Sequence, residues 1–239
     1  TPIWVAEAMV AYVARYAGLI FDPSVGKGAF YSALKKVAPE KEFFGTDIDP
    51  EIIDEAKREG VFGANAELEV RDFILNTPKR LFKAIVANPP YIRHHRISQE
   101  QKNQFRKISL RNLDNTLDGR AGLHIYFLIQ ALSLLDKGGR LAFIMPADTC
   151  EGVFSKKLWN WISKKFCIDG VITFEQKATP FPNVDTNAII FLISNAKAQD
   201  KLKWVKCLAP QNKELFELLK NDLAGKDYKN LYIYERDLS

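Results

Sequence analysis

The chain has 239 residues, the length of one large domain or of one domain with a short appendage. A hydrophobic fraction of 47% supports a sizeable core, and no apolar run approaches the roughly 18 residues that span a bilayer, so no membrane partner is expected. Three scattered cysteines (Cys150, Cys167, Cys207) form neither a zinc nor a disulfide pattern and fit a reducing, cytoplasmic setting, while a net charge of +5 permits a polyanionic partner without requiring one.

The chain opens on Thr1 with no leader-like segment, which reads as a trimmed or processed N-terminus. Pro2 to Tyr16 has helical apolar spacing and ends before Gly18. Leu19 to Phe21 is a short strand running into Asp22-Pro23-Ser24-Val25-Gly26-Lys27-Gly28, and a helix follows from Ala29 to Val37. Glu42 to Thr46 is a second strand, closed by Asp47-Ile48-Asp49-Pro50; Asp49 reads as an N-cap and Pro50 as the first residue of a helix over Glu51 to Arg58. Leu68 to Val70 ends at Asp72-Phe73, and Ala84 to Ala87 ends at Asn88-Pro89-Pro90-Tyr91. A helix from Leu123 to Leu135 precedes Gly138-Gly139 and a strand from Arg140 to Met145. A helix from about Phe154 to Lys165 and strands at Ile168 to Thr173 and Ala188 to Ile193 complete the alternation. Beyond about Asn195 it loosens, with strands at Trp204 to Leu208 and Leu231 to Tyr234 around a helix near Lys213 to Leu223. Strands alternating with helices predict an α/β fold with a mostly parallel sheet and helices on both faces. Residues 1–195 form the catalytic domain in this reading, and 196–239 a sheet edge or the start of a linker.

Four polar features fall at the ends of four consecutive strands, the edge where open α/β sheets bind ligands. Gly26 and Gly28 let backbone pass close under a ligand, and Asp22 is placed to receive an ammonium group. Asp47 is placed to accept from ribose hydroxyls; Asp72 can accept from an exocyclic amine, and Phe73 can cover a purine face. Singly, these residues read equally as turn formers; in register on successive strands they read as one site. Tyr31 stands where a dinucleotide loop needs its third glycine, and no phosphate-gripping Gly-Lys-Ser/Thr loop is present. A cofactor without pyrophosphate, carrying an adenosine and an amino-acid tail, fits: S-adenosylmethionine.

On these residues the chain resembles the class I S-adenosylmethionine methyltransferases, in particular the gamma-group DNA N6-adenine methyltransferases of restriction–modification systems, from Thr1 to about Ile193. The resemblance implies a Rossmann-like, mostly parallel seven-stranded sheet. It places Thr1 near the methionine carboxylate, Asp22, Gly26 and Gly28 in the cofactor loop, and Asp47, Asp72 and Phe73 on ribose and adenine. Phe127 corresponds to an aromatic near the cofactor adenine, and Phe181-Pro182 to an aromatic stacking on the target base. The order of cofactor motif, glycine loop and NPPY implies a target-recognition domain after the catalytic one, and the resemblance implies double-stranded DNA as substrate; whether a restriction endonuclease is fused or partnered is left open by the sequence.

The motif suits that chemistry. Adenine N6 is a poor nucleophile because its lone pair is delocalised into the ring. The Asn88 side-chain oxygen and the Pro89 carbonyl, held rigid by adjacent prolines, can accept its two N–H groups and favour a localised lone pair. Tyr91 and Phe181 supply two flat faces for a base turned out of the duplex. Between Arg93 and Arg120 seven basic residues stand against three acidic ones, a long insert expected to be either a mobile loop on phosphates or a solvated polar segment. His94-His95 lacks a third ligand, so no metal is expected.

Two other substrates remain open: the glutamine amide of translation release factors and adenine in RNA. Amide methyltransferases of the first kind typically carry a helical domain before the glycine loop, where this chain has one helix, and Pro23 departs from their loop. A non-catalytic subunit would have no need of the acceptors in Asn88 to Tyr91.

Overall fold

A computed structural model describes residues 1–114, 116–117, 120–151, 155–182, 186–225 and 227–238. The elements run α1 (Ile3–Ala14), β1 (Leu19–Asp22), α2 (Ala29–Val37), β2 (Glu42–Asp47), α3 (Pro50–Arg58), β3 (Ala66–Val70), β4 (Phe82–Ala87), α4 (Gln99–Leu113) and α5 (Leu123–Ser133). They continue with β5 (Leu135–Pro146), α6 (Ser155–Lys165), β6 (Cys167–Phe174), β7 (Ala188–Ser194), β8 (Lys201–Cys207), α7 (Lys213–Lys220) and β9 (Leu231–Asp237). The expected helix start at Phe154 lies outside the described residues, as does Asp118.

The strands form one sheet in the order β3-β2-β1-β4-β5-β7-β6-β8-β9. β7 is antiparallel to β5 and β6, and β9 to β8; the remaining pairs are parallel. The expected seven-stranded, mostly parallel sheet is therefore corrected to nine strands and mixed direction. No α-helix is found among the described residues between β6 and β7, and a strand reached without a crossover helix returns antiparallel. β7 is buried along its whole length because both sheet faces are covered, so its apolar run carried no trace of its direction.

Local chemistry explains the helix ends. Asp49 caps α3 by accepting from the Glu51 N–H at 2.9 Å, with Pro50 leading the helix. α1 is apolar nearly all round because it lies between the sheet and the helices α2 and α7. With α3, these helices cover one sheet face; α4, α5 and α6 cover the other.

The insert after Tyr91 is neither a mobile loop nor a merely solvated segment. Ser98 and Gln101 form a reciprocal capping box that starts the fifteen-residue α4. Phe105 and Ile108 of α4 are buried, and the Phe105 ring lies 4.7 Å from that of Tyr126 on α5. β5 also starts earlier than expected, at Leu135, and passes Gly138 at a φ of +73°, beside a register shift against β4. No described helix is long and apolar enough to cross a membrane.

Candidate active site

The order of the strands reverses between β1 and β4, the point at whose carboxyl ends open α/β sheets bind ligands in a crevice. Asp22 ends β1 and Asn88 follows β4, so the aspartate that opens the glycine loop and the asparagine of the NPPY motif flank that point.

Asp22 is fully buried. One carboxylate oxygen, Oδ1, accepts from the Ser24 N–H at 3.0 Å, whereas Oδ2 has no partner. Burial pushes this carboxyl up to about 8, helped by the negative charge of Asp47 and opposed by the Ser24 N–H. A buried carboxylate left half satisfied is costly to a fold unless something completes it.

The glycine loop is laced to the end of β2. Asp47 accepts from the Gly26 N–H at 2.8 Å and from the Asp49 N–H at 3.1 Å, and the Thr46 hydroxyl donates to the Pro23 carbonyl at 3.1 Å. Gly28 sits at a φ of +76°, and a Cβ there would fall 2.7 Å from the Phe62 ring, so both backbone and space demand glycine. Just after β3, the backbone N–H of Arg71 donates to the Asp47 carbonyl at 2.7 Å, which brings Asp72 beside this loop. Asp72 accepts from the Ile74 and Leu75 N–H groups through Oδ1 alone, leaving Oδ2 for a ligand.

Asn88 is the hub of the site. Its Nδ2 donates to the Thr1 hydroxyl at 2.9 Å, and its Oδ1 accepts from the Tyr91 hydroxyl at 2.8 Å. The Ser24 hydroxyl donates to its backbone carbonyl at 3.2 Å, tying the NPPY motif to the glycine loop. With Nδ2 committed to Thr1, the amide presents its oxygen toward Tyr91. Pro89 is buried, and its carbonyl makes no hydrogen bond among the described residues.

Behind Tyr91 stands His124, in the first turn of α5, its ring 6.0 Å away and edge-on. His124 Nε2 shares a 2.8 Å hydrogen bond with the Thr149 hydroxyl, while Nδ1 is buried without a partner. Burial lowers the imidazole to about 4 and raises the Tyr91 phenol, so both are neutral at pH 7.

The expected aromatic contacts are placed less directly. Phe73 and Phe127 pack together at 5.3 Å inside the core, 2% and 8% exposed, beneath the site rather than over it. Phe181 is half-buried against the core cluster of the α1 face, and no ring contact joins it to Tyr91 among the described residues. Sequence reasoning missed Ile48, exposed directly after Asp47 and free to cover a flat ligand; an apolar residue between two aspartates was its signal. It also missed Ser24, His124 and Thr149, whose roles depend on partners distant in the chain.

Residues 40–181 match the model of the Eco57I restriction-modification methylase family, more than half of the chain. The chain belongs to that family. Among curated relatives, the type II methyltransferase M.AccI of Acinetobacter calcoaceticus is 26% identical over 206 residues, covering 85% of this chain and 38% of the relative. M.TthHB8I of Thermus thermophilus is 29% identical over 151 residues, covering 62% and 34%. The chain thus spans little more than a third of the length of these relatives. The solved type IIG restriction endonuclease BpuSI superposes with a TM-score of 0.78 at 16% identity, over 99% of this chain and 31% of its own. A Listeria monocytogenes protein described as a class I S-adenosylmethionine-dependent methyltransferase gives 0.72 at 16% identity, over 94% and 72%. These likenesses establish the class I methyltransferase fold.

Proposed function

We propose that this chain is the catalytic portion of a restriction–modification methyltransferase that uses S-adenosylmethionine to methylate N6 of an adenine turned out of duplex DNA. The observation that carries the reading is the hydrogen-bonded run Thr1–Asn88–Tyr91, set where the strand order reverses, beside the unpartnered oxygen of Asp22.

The residues present fit the cofactor. Asp22 Oδ2 is a buried acceptor with nothing to accept from, as an amino-acid ammonium requires. Thr1, whose oxygen accepts from Asn88, still has its hydroxyl proton to donate to a carboxylate. Asp47 would take the ribose hydroxyls and Asp72 Oδ2 the adenine amine, with Ile48 against the ring and Phe73 and Phe127 flooring it. When bound, S-adenosylmethionine supplies a methyl group on a positively charged sulfur.

Asn88 Oδ1 and the Pro89 carbonyl accept the two N–H groups of the target N6, localising its lone pair for attack. The Tyr91 hydroxyl, which takes one lone pair of Asn88 Oδ1 in the base-free arrangement, gives up that bond as the ring turns to stack on the base. Stacking is worth about 1–3 kcal/mol and offsets part of the few kcal/mol that flipping costs. The bound cofactor would supply the methyl group and keep the sulfur's electron pair as a neutral thioether, and N6 would lose its proton to solvent afterwards, so these residues need hold no general base. Neutral His124 puts no positive charge beside the nucleophile. Phe181 is the second stacking face in this reading. Site specificity would come from a recognition domain outside this chain.

Asn88→Ala tests the proposal. Transfer of labelled methyl to DNA should fall by at least about 100-fold, as when a preorganised hydrogen-bonding group is removed. Calorimetric cofactor affinity should change little. Retained turnover would remove Asn88 from the mechanism.

A further inference from the structure

Charge is divided unequally between the two faces of the sheet. Helices α1, α2, α3 and α7 carry six acidic and six basic side chains. On the other face α5 carries none, while α4 and α6 carry eight basic residues against the single Glu100. Their net charge of +7 exceeds the +5 of the whole chain.

Of the six basic residues on α2, α3 and α7, Lys36 alone has an ion-pair partner among the described residues, and a loop and a strand beside these helices add two more pairs, so the faces differ in their supply of carboxylates. On the first face Lys36 is paired with Glu7, Lys27 in the loop before α2 with Glu55 of α3, and Arg140 with Asp222. Arg106 and Lys107 of α4 and Lys156, Lys164 and Lys165 of α6 are all exposed, and none has a carboxylate within ion-pair distance among the described residues. Lys102 and Arg106, and Lys107 and Arg111, stand four residues apart on α4, where like charges weaken the helix, whereas Lys164 and Lys165 lie in the last turn of α6, where the helix dipole favours them.

The two helices adjoin. Leu113 of α4 and Lys157, Asn160, Trp161, Lys164 and Lys165 of α6 line one pocket of about 250 Å³. The ridge also begins at the active site, because α4 follows Tyr91 after a single 3-10 turn at His94–Arg96. Lys156 and Lys164, eight residues apart on α6, are separated by roughly 12 Å of helix. A row of unpaired cations on that scale suits a rod of phosphates, not a compact anion.

We infer that the α4–α6 face is a second, sequence-independent contact for duplex DNA, holding backbone phosphates beside the turned-out base. The inference takes DNA from the proposed function but uses neither the adenine pocket nor the cofactor, so the two can fail separately.

The test is binding of the chain to a fluorescent duplex of dG and dC only, which offers no adenine, followed by anisotropy across a potassium chloride series. Wild-type affinity should fall steeply with salt. The variant R106E/K107E/K156E/K164E should bind at least about tenfold more weakly at 50 mM salt, with the log–log salt slope reduced by about 3 to 4, since each phosphate contact contributes about 0.9. Unchanged S-adenosylhomocysteine affinity would show that the variant is folded. If it does not fold, K156A/K164A should still lower the slope by about 2. Equal affinity and slope in wild type and folded variant would overturn the inference, as would tighter binding of duplex RNA than of duplex DNA.

Discussion

The two edges of the sheet treat their polar groups in opposite ways. At the amino edge, the Tyr12 hydroxyl at the end of α1 donates to Asp169 on β6 at 2.5 Å, and Arg140 on β5 pairs with Asp222 after α7 at 2.5 Å. Burial and the Asp169 charge raise the Tyr12 phenol, so it stays protonated and donating. At the carboxyl edge, among the described residues, one Asp22 oxygen and the Pro89 carbonyl have no hydrogen-bond partner, and Asn88 is oriented by Thr1 and Tyr91. One edge ties four elements together and is complete in itself. The other is left incomplete, and in the proposed function a ligand completes it.

That contrast can be broken by mutation. Asp22→Asn should weaken S-adenosylhomocysteine binding by roughly 10- to 100-fold, the range of a lost charge-assisted hydrogen bond, while the fold survives; unchanged affinity would remove Asp22 from the site. Tyr12→Phe should do the reverse. It leaves a half-buried carboxylate short of a donor and should cost about 1–2 kcal/mol in urea unfolding, with cofactor affinity unaltered. If binding also changed, the two edges would not be independent. Asp72→Ala should weaken the cofactor by about 1 kcal/mol, because only one hydrogen bond to its amine is lost; an unaltered dissociation constant would exclude that contact.

The dependence on pH sharpens the account further. The Asp22 carboxyl is raised from an ordinary 3.8 to about 8 in the folded protein, so its contribution to stability is fully present below pH 4 and is lost as pH rises through 8. Melting temperature should therefore drift down from pH 5 to pH 8 in the wild type and be flatter in Asp22→Asn. Binding an ammonium reverses the preference for the proton. Calorimetry at pH 7 in buffers of different ionisation enthalpy should show close to one proton released per cofactor bound. Proton uptake, or none, would contradict this.

Much of the candidate site could be proposed from the sequence because its signals are local. Asp22, Gly26, Gly28, Asp47, Asp72 and Asn88 to Tyr91 stand at strand ends, where turn residues mark the chain. What escaped was long-range. The pairing of Asn88 with Thr1 spans 87 residues, and His124 meets Thr149 only because α5 packs beside the end of β5. The direction of β7 left no mark in a uniformly apolar run. α4 was different: Ser98, Gln101, Phe105 and Ile108 carried a readable cap and apolar spacing, outweighed by the density of charge around them.

The central claim is a methyl group on adenine N6. Its most direct test is to incubate this chain, or a longer protein containing it, with DNA and methyl-labelled S-adenosylmethionine, digest to nucleosides and read the product by mass spectrometry. The account predicts label in N6-methyladenine, absent with Asn88→Ala. Label in N4-methylcytosine, or in protein glutamine with none in DNA, would contradict it.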